Sequence, residues 1–317
     1  MERVQPTSGL PSYEMGQTMT RYPILLVGFN RPEKILERTK EILSWNPSDL
    51  YISIDAAKTS VERNSTREIR DQLKPFIVNP RVHLIFRSQN YGIKGHIPHA
   101  IDEILQKHSA IVVIEDDVQC SEIFYGEICK ALNLHGNDYL TVGGFSSLPF
   151  RFFATRNRWR ETRYFSAWGW GITRESWLKY ERTIDVQNLH INLEGSKIWK
   201  KLSNSQKKTW IGRFSKVSTG EKITWDFQMQ YSSFVHNYYH LNSLFRICEN
   251  QGFSDERGTN TKSKRPLPLG RYYLNNSPFD KILLRRIPQI ALEFLDSFVI
   301  AGDRVLLHKL SKIRRVF

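Results

Sequence analysis

Apolar residues fall in short unbroken runs separated by stretches with helical spacing. Pro23-Ile24-Leu25-Leu26-Val27-Gly28-Phe29 is the first run, followed by Asn30-Arg31-Pro32 and a helical pattern from Glu33 to Leu43. A fully apolar strand, a tight turn and a helix form the βα unit of a parallel sheet. The unit recurs. Leu50 to Ile54 reads as a second strand ending at Asp55, Val61 to Leu73 as a helix, and Val82 to Phe86 as a third strand. Ile97 to Lys107 then gives a helix and Ala110 to Ile114 a buried strand that stops at Glu115-Asp116-Asp117. Alternation of this kind predicts an α/β sheet with right-handed crossovers, whose ligands sit off the carboxyl ends of the strands.

From about Leu140 the pattern changes to short apolar runs, Gly143-Gly144, and a basic aromatic stretch reaching Tyr164-Phe165-Ser166-Ala167-Trp168-Gly169-Trp170-Gly171. Helical spacing returns at Arg174 to Tyr180 and at Thr224 to His236, and Phe279 to Phe317 reads as an attached helical tail. Residues 1–21, rich in Ser, Thr, Pro and Gly without periodicity, read as a mobile lead-in. The expected organisation is a main α/β domain over 22–270, with a first half at 22–120 and a second at 140–262, and a basic tail at 271–317.

Composition narrows the class. The 317 residues, with 40% hydrophobic and 25% charged content, suit a folded globular protein with a full core. Three scattered cysteines, Cys120, Cys129 and Cys248, argue against a disulfide framework or zinc cluster. No run approaches the roughly 18 to 20 apolar residues of a spanning helix, and the N-terminus lacks the apolar core of a signal peptide. A cytoplasmic location follows as the expectation. The net charge of +14 favours phosphate-bearing partners: nucleic acid, anionic lipid or a nucleotide-activated metabolite.

The acidic triplet carries the most chemistry. Adjacent carboxylates repel, and a divalent cation relieves that repulsion most simply; Mg²⁺ and Mn²⁺ are commonly held by one or two carboxylates together with a substrate's phosphates. A solvated acidic turn, with Asp117 or Ser121 capping the next helix, is the structural alternative. Other strand ends carry groups suited to a nucleotide. Asp55 can accept from an imide N–H, Arg31 and Lys94 can face phosphates, and Asn30 and Asn90-Tyr91-Gly92 stand at the same edge. Each has a plain alternative as a cap or a turn.

Together these motifs resemble the nucleotide-sugar-binding half of GT-A fold glycosyltransferases, and the Glu-Asp-Asp form is similar to that of the N-acetylglucosaminyltransferase I family and its bacterial relatives. The resemblance implies a mixed, mainly parallel α/β sheet flanked by helices. It implies Mn²⁺ or Mg²⁺ on Asp117, with Glu115 nearer the donor sugar and Asp116 nearer the ribose or the metal's waters. Trp168-Gly169-Trp170 resembles the segment beneath the donor sugar; small residues let backbone approach a ligand, and indole faces suit a pyranose. Two residues apart on a strand, both indoles could share one face, or both could be core aromatics. Thr224-Trp225-Asp226 resembles the segment whose acid is the catalytic base, with Trp225 at the donor; Asp226 reads equally as a first-turn helix acid. Cys248 to Phe253 and Gly258 to Thr261 resemble a shortened Asn-x-Gly-Phe…Thr-His-Thr segment, in which Asn260 replaces histidine and bears on metal dependence.

Two basic regions remain. Arg151, Arg156, Arg158, Arg160 and Arg163 interleave with aromatics, suiting a loop that closes over a diphosphate or receives an anionic acceptor, or a plain solvated loop. The amphipathic tail suits an anionic membrane surface, with peripheral attachment to the inner face, or packing on the domain or a second subunit. The function expected is transfer of a sugar from a nucleotide-diphosphate donor, a UDP-sugar above all, to a hydroxyl of a glycan or glycolipid, with inversion and without nucleic acid. The rivals are a sugar-phosphate nucleotidyltransferase, which would carry a glycine-rich phosphate loop after the first strand, and a non-catalytic basic binding module.

Overall fold

The computed structural model describes residues 19–147, 159–244 and 246–252, together with Glu293, Asp296 and Ser297. Its first half repeats the βα unit. Strands β1 (Ile24–Gly28), β2 (Leu50–Ile54), β3 (Val82–Phe86) and β4 (Ala110–Glu115) alternate with helices α1 (Pro32–Ser44), α2 (Ser60–Leu73) and α3 (Gly92–Leu105). After β4 come β5 (Val118–Cys120), α4 (Phe124–His135) and β6 (Val142–Gly143). The chain continues through β7 (Trp159–Thr162), β8 (Trp170–Thr173), α5 (Arg174–Trp177), α6 (Leu189–Glu194), α7 (Lys197–Lys200), α8 (Asn204–Ser218), α9 (Asp226–Val235), β9 (His240–Ser243) and β10 (Cys248–Asn250).

Eight strands form one sheet in the order β3-β2-β1-β4-β8-β6-β9-β7, and β10 pairs with β5 in a small ribbon. The expected mixed α/β sheet is present. In the large sheet β8 and β7 alone run against the rest, so the carboxyl ends of β1 to β4, β6 and β9 share one edge with the start of β8.

Alternating strand residues feed two cores. Ile24, Leu26, Ile52, Val112 and Ile114 face α1, α2 and α4, while Leu25, Val27, Ile111 and Val113 face α3, Trp170, Trp225 and α9. Strands covered on both faces need apolar residues at every position, which is why these runs are continuous. Helices α6 to α9 enclose a third cluster around Trp199, Trp210, Phe214 and Phe234.

Several boundaries differ from the sequence reading. Helix α3 starts at Gly92 rather than Ile97, because the Asp55 carboxylate accepts from the N–H groups of Tyr91 and Gly92 at 2.9 and 2.8 Å and anchors the first turn. Helices α4, α6, α7 and α8 add to the sequence reading: α6 and α7 are too short for a periodic signal, whereas α4 (Phe124, Ile128, Leu132) and α8 (Trp210, Phe214, Val217) bury apolar residues at helical spacing. Most of the lead-in and of the tail, Asn260, and Arg151, Arg156 and Arg158 lie outside the described residues.

What is described of the tail packs on the domain. Asp296, 0% exposed, accepts from Arg160 Nη2 at 2.6 Å, Ser297 from Gln206 of α8 at 2.8 Å, and Glu293 pairs with Arg163. Arg160 and Arg163 are thus committed to the tail rather than presented to a diphosphate, and of the two tail readings packing on the domain holds for these three residues.

Candidate active site at the carboxyl edge of the sheet

The acids stand at the centre of the edge because β4 is a middle strand. Val27 pairs with Glu115, and the Asp116 N–H donates to the Val27 carbonyl at 3.0 Å, extending the β1–β4 ladder by one residue. Arg31 begins the next turn, ahead of Pro32 at the first position of α1. Its Nη1 lies 2.6 Å from Asp116 Oδ1 and 3.2 Å from Asp117 Oδ2. The guanidinium therefore bridges both aspartates with little exposure on any of the three residues. Sequence reading placed Arg31 against a phosphate; the structure places it on the acids.

Asp117 has a second support. Antiparallel pairing of β10 with β5 sets Asn250 opposite Val118, and Asn250 Nδ2 donates to Asp117 Oδ1 at 3.1 Å. Asn250 is itself oriented by the Gly252 N–H, which donates to its Oδ1 at 2.7 Å, and the Gln251 N–H donates to the Asp117 carbonyl at 2.7 Å. A side chain at Gly252 would place Cβ 2.3 Å from Asp117 Oδ2, so glycine is required by close approach. Asn250 and Gly252 were visible in sequence as an Asn-x-Gly resemblance, but their contact with Asp117 depends on a pairing across more than a hundred residues.

Burial and mutual repulsion set the electrostatics. Burial pushes the Asp116 pKa up to about 7, and Arg31 opposes the rise. Burial also holds Glu115 well above the usual carboxylate range, reinforced by the charges of Asp117, Asp116 and Asp226. That last influence locates the other half of the site: Asp226, the first residue of α9, is close enough to Glu115 for the two charges to interact. Both acids stay partly exposed. Burial raises the Asp226 pKa, while the Thr224 hydroxyl, which donates to Asp226 Oδ1, and the charges of Lys222 and Arg213 lower it.

The remaining residues divide. Asn90 Nδ2 donates to the Ala56 carbonyl, and Asp55 accepts from Ala56, Tyr91 and Gly92, so these two knit the β2 and β3 turns together. Three of about four acceptor positions of the Asp55 carboxylate are thereby used. Lys94 is exposed on the first turn of α3, and Asn30 is partly exposed after β1. Antiparallel pairing of Val113 with Trp170 brings Trp168 and Gly169 out beside the end of β4.

The two indoles do not share a face. Gly169 has φ +61°, a left-handed conformation that breaks the strand alternation. Trp168, half-buried, packs edge-on to Phe145 at 4.6 Å, whereas Trp170 is enclosed by Trp225 and Phe165 at 5.4 and 5.2 Å. Trp170 and Trp225 are 0% and 2% exposed and act as core aromatics; of the three indoles Trp168 is the one left partly exposed.

Among the described residues no set of three His, Cys, Asp or Glu side chains is arranged to hold a metal ion. The donor chemistry still fits a hard cation that draws its other ligands from phosphate and water, since such ions need one or two protein carboxylates. Asp117 and Asp116, one oriented by Asn250 and both paired with Arg31, are the carboxylates at this edge that would suit such an ion.

No protein-family model matches the chain, and no curated protein matches it. Solved structures with partial likeness include the mannosyltransferase PcManGT from Pyrobaculum calidifontis in complex with GDP-Man and Mn²⁺, at 11% identity and TM-score 0.38 over 68% of this chain and 70% of that one. Glucosyl-3-phosphoglycerate synthase from Mycobacterium tuberculosis, in complex with Mn²⁺, UDP and glucosyl-3-phosphoglycerate, gives 12% identity and TM-score 0.32 over 49% of this chain and 57% of that one. Likeness of this degree does not fix an activity. No helix among the described residues is long and apolar enough to cross a membrane.

Proposed function

We propose that the protein is a GT-A-type glycosyltransferase that moves a hexosyl or N-acetylhexosaminyl group from a nucleotide diphosphate, a UDP-sugar in the first instance, to a hydroxyl of a glycan or glycolipid. The observation that carries this reading is that Trp225 stacks on Trp170 of β8, the strand paired with β4, which brings the start of α9 and Asp226 toward the end of the strand that bears Glu115, although 110 residues of chain separate the two acids. An acidic turn serving only as a cap has no use for a fourth, partly buried acid from a distant helix.

In the proposed reaction the acceptor oxygen attacks the anomeric carbon and loses its proton to Asp226. The bond from that carbon to the diphosphate oxygen breaks, and the diphosphate departs with the electron pair on the face opposite the attack, so configuration inverts. Burial makes Asp226 a stronger base than a solvated aspartate, and the Thr224 hydroxyl aims it. A divalent cation, Mn²⁺ or Mg²⁺, held by Asp117 and Asp116 would supply positive charge to the leaving diphosphate. Asn30, Asp55, Asn90, Gly92 and Lys94 frame the nucleotide side of the edge, and Trp168-Gly169 the sugar side.

The test separates binding from chemistry. UDP with Mn²⁺ is expected to raise the thermal midpoint of the protein, and Asp226→Asn to keep that protection while transfer falls by about 10³-fold. Asp117→Ala is expected to lose both. Normal turnover by the Asp226→Asn enzyme would overturn the base assignment, and absence of any nucleotide-sugar turnover or UDP protection in the unmodified chain would overturn the whole reading.

A further inference from the structure

Two of the three thiols are placed against each other. Strand β10 pairs antiparallel with β5 in a register that sets Cys248 directly opposite Cys120. The hydrogen bonds on either side fix which kind of pair this is. The Ser121 N–H donates to the Ile247 carbonyl at 2.9 Å, and the Gln251 N–H to the Asp117 carbonyl at 2.7 Å. Bonded and unbonded pairs alternate along an antiparallel ladder, so 121 with 247 and 117 with 251 are bonded positions and 120 with 248 is an unbonded one. At such a position the two Cα atoms stand about 4.5 Å apart and both side chains project from one face. A disulfide spans Cα separations of about 4.4 to 6.8 Å, so the register already gives the spacing a bridge needs.

Both side chains enter the same buried cluster, with Cys120 4% and Cys248 0% exposed. Burial pushes the Cys120 thiol up, and the proximity of Cys248 adds to the rise. Cys129 stands apart on α4, beside Tyr125.

The pair adjoins two parts of the candidate site. Cys248 Sγ donates to the Trp168 carbonyl at 2.8 Å, and two residues further along β10 Asn250 holds Asp117. The ribbon that carries these contacts has three residues in each strand. So few ladder bonds open more readily than those of the eight-stranded sheet.

We propose that Cys120 and Cys248 are a redox-sensitive pair that closes a cross-strand disulfide in the presence of a low-molecular-weight disulfide such as oxidised glutathione, fastening β10, and with it Asn250 and Gly252, to the strand that follows Asp117. One thiolate attacks the small disulfide and forms a mixed disulfide as the first glutathione thiol departs. The other thiolate then attacks the protein sulfur of that mixed disulfide and displaces the second glutathione. Two protein thiols are oxidised, one small disulfide is reduced to two thiols, and the two protons pass to these. Burial keeps both protein thiols protonated and shielded, so exchange proceeds through opening of the ribbon and is slow in both directions. Bridging also removes the S–H that Cys248 donates to Trp168. None of this depends on which reaction the site performs.

The full chain is brought to equilibrium with glutathione from both directions, once from reduced protein and once from protein refolded in oxidised glutathione, so that slow access is not mistaken for absence of a bridge. Remaining thiols are alkylated in denaturant and the chain is mapped by mass spectrometry. In oxidising buffer both samples are expected to show Cys129 alone alkylated and the peptides of Cys120 and Cys248 linked, and dithiothreitol should return all three thiols. Amide hydrogen exchange at Ser121 and Gln251 should slow about tenfold or more on oxidation, while the amides of β2 stay unchanged. Cys129→Ser should keep both the bridge and the slowing, and Cys248→Ser should lose both. Three alkylated thiols in both samples, glutathione adducts without a link, a bridge that involves Cys129 or a bridge found only in urea would overturn the proposal. A Cys120–Cys248 bridge that leaves exchange at Gln251 unchanged would overturn it as well.

Discussion

The two halves of the sheet are built on different plans. From β3 to β4 every strand is five or six residues long, mainly apolar and joined to the next by a helix; β1–β2 and β2–β3 join strands that are consecutive in the chain, and only β1–β4 reaches further. From β8 to β7 the strands have two to four residues, and neighbours come from distant parts of the chain; β6 pairs with β9 nearly a hundred residues on. The first half supplies a rigid edge and the acids. The second supplies the candidate base, the aromatic wall and the Asn250 support, each brought in by a long-range contact.

That contrast can be broken most sharply at the indoles. Trp170→Ala removes a fully buried ring between Phe165 and Trp225 and should cost about 3–5 kcal/mol of stability. Trp168→Ala, half-buried beyond the Gly169 break, should cost far less stability and act on donor-sugar binding. Urea unfolding of the two variants measures the difference; similar losses for both would show that the wall is one continuous core.

A smaller effect separates the histidine under the first half from the acids above it. His96, buried against Ser53 Oγ at 2.8 Å, has its pKa lowered to about 4, chiefly by burial. Its neutral ring is favoured in the fold, so this contribution is complete above about pH 6.5, where the unfolded ring is also neutral. It is lost as pH falls toward 4, by about 3 kcal/mol in all. Asp116 acts in the opposite sense, because its raised pKa lets stability fall as pH rises from about 4 to 7. The His96 share is therefore read as the difference in urea midpoint between the unmodified chain and His96→Gln across pH 4 to 7. A constant difference would show that the ring does not titrate in this way.

The smallest expected change is at the long-range support of Asp117. Asn250→Ala frees one carboxylate oxygen from its orienting donor, and loss of such a support typically weakens metal affinity about tenfold or somewhat more. Titration of Mn²⁺ against UDP protection would show it. Gly252→Ala, whose Cβ falls on the same carboxylate, should do at least as much. Unchanged Mn²⁺ dependence in both would remove Asp117 from the proposed metal site.

Legibility followed the same division. The four parallel strands and the Glu-Asp-Asp turn could be read directly, because a strand buried on both faces must be apolar at every position and a charged break in such a run is conspicuous. Strand β6, with two residues, and helices α6 and α7, with six and four, are too short to carry a comparable local signature. The position of Asp226 was noticed only through resemblance.

The sequence by itself determined the βα grammar of the first half and the acids that end its central strand, since both follow from burial pattern and short-range chemistry. Only the tertiary structure decided that Arg31 turns back onto Asp116 and Asp117, that Gly169 sends Trp168 and Trp170 to opposite faces, and that Trp225, stacked on Trp170, brings Asp226 to the half of the sheet that ends in Glu115. Those outcomes depend on pairings and packing between segments tens to hundreds of residues apart, and no local pattern of residues encodes which distant segment will be the neighbour.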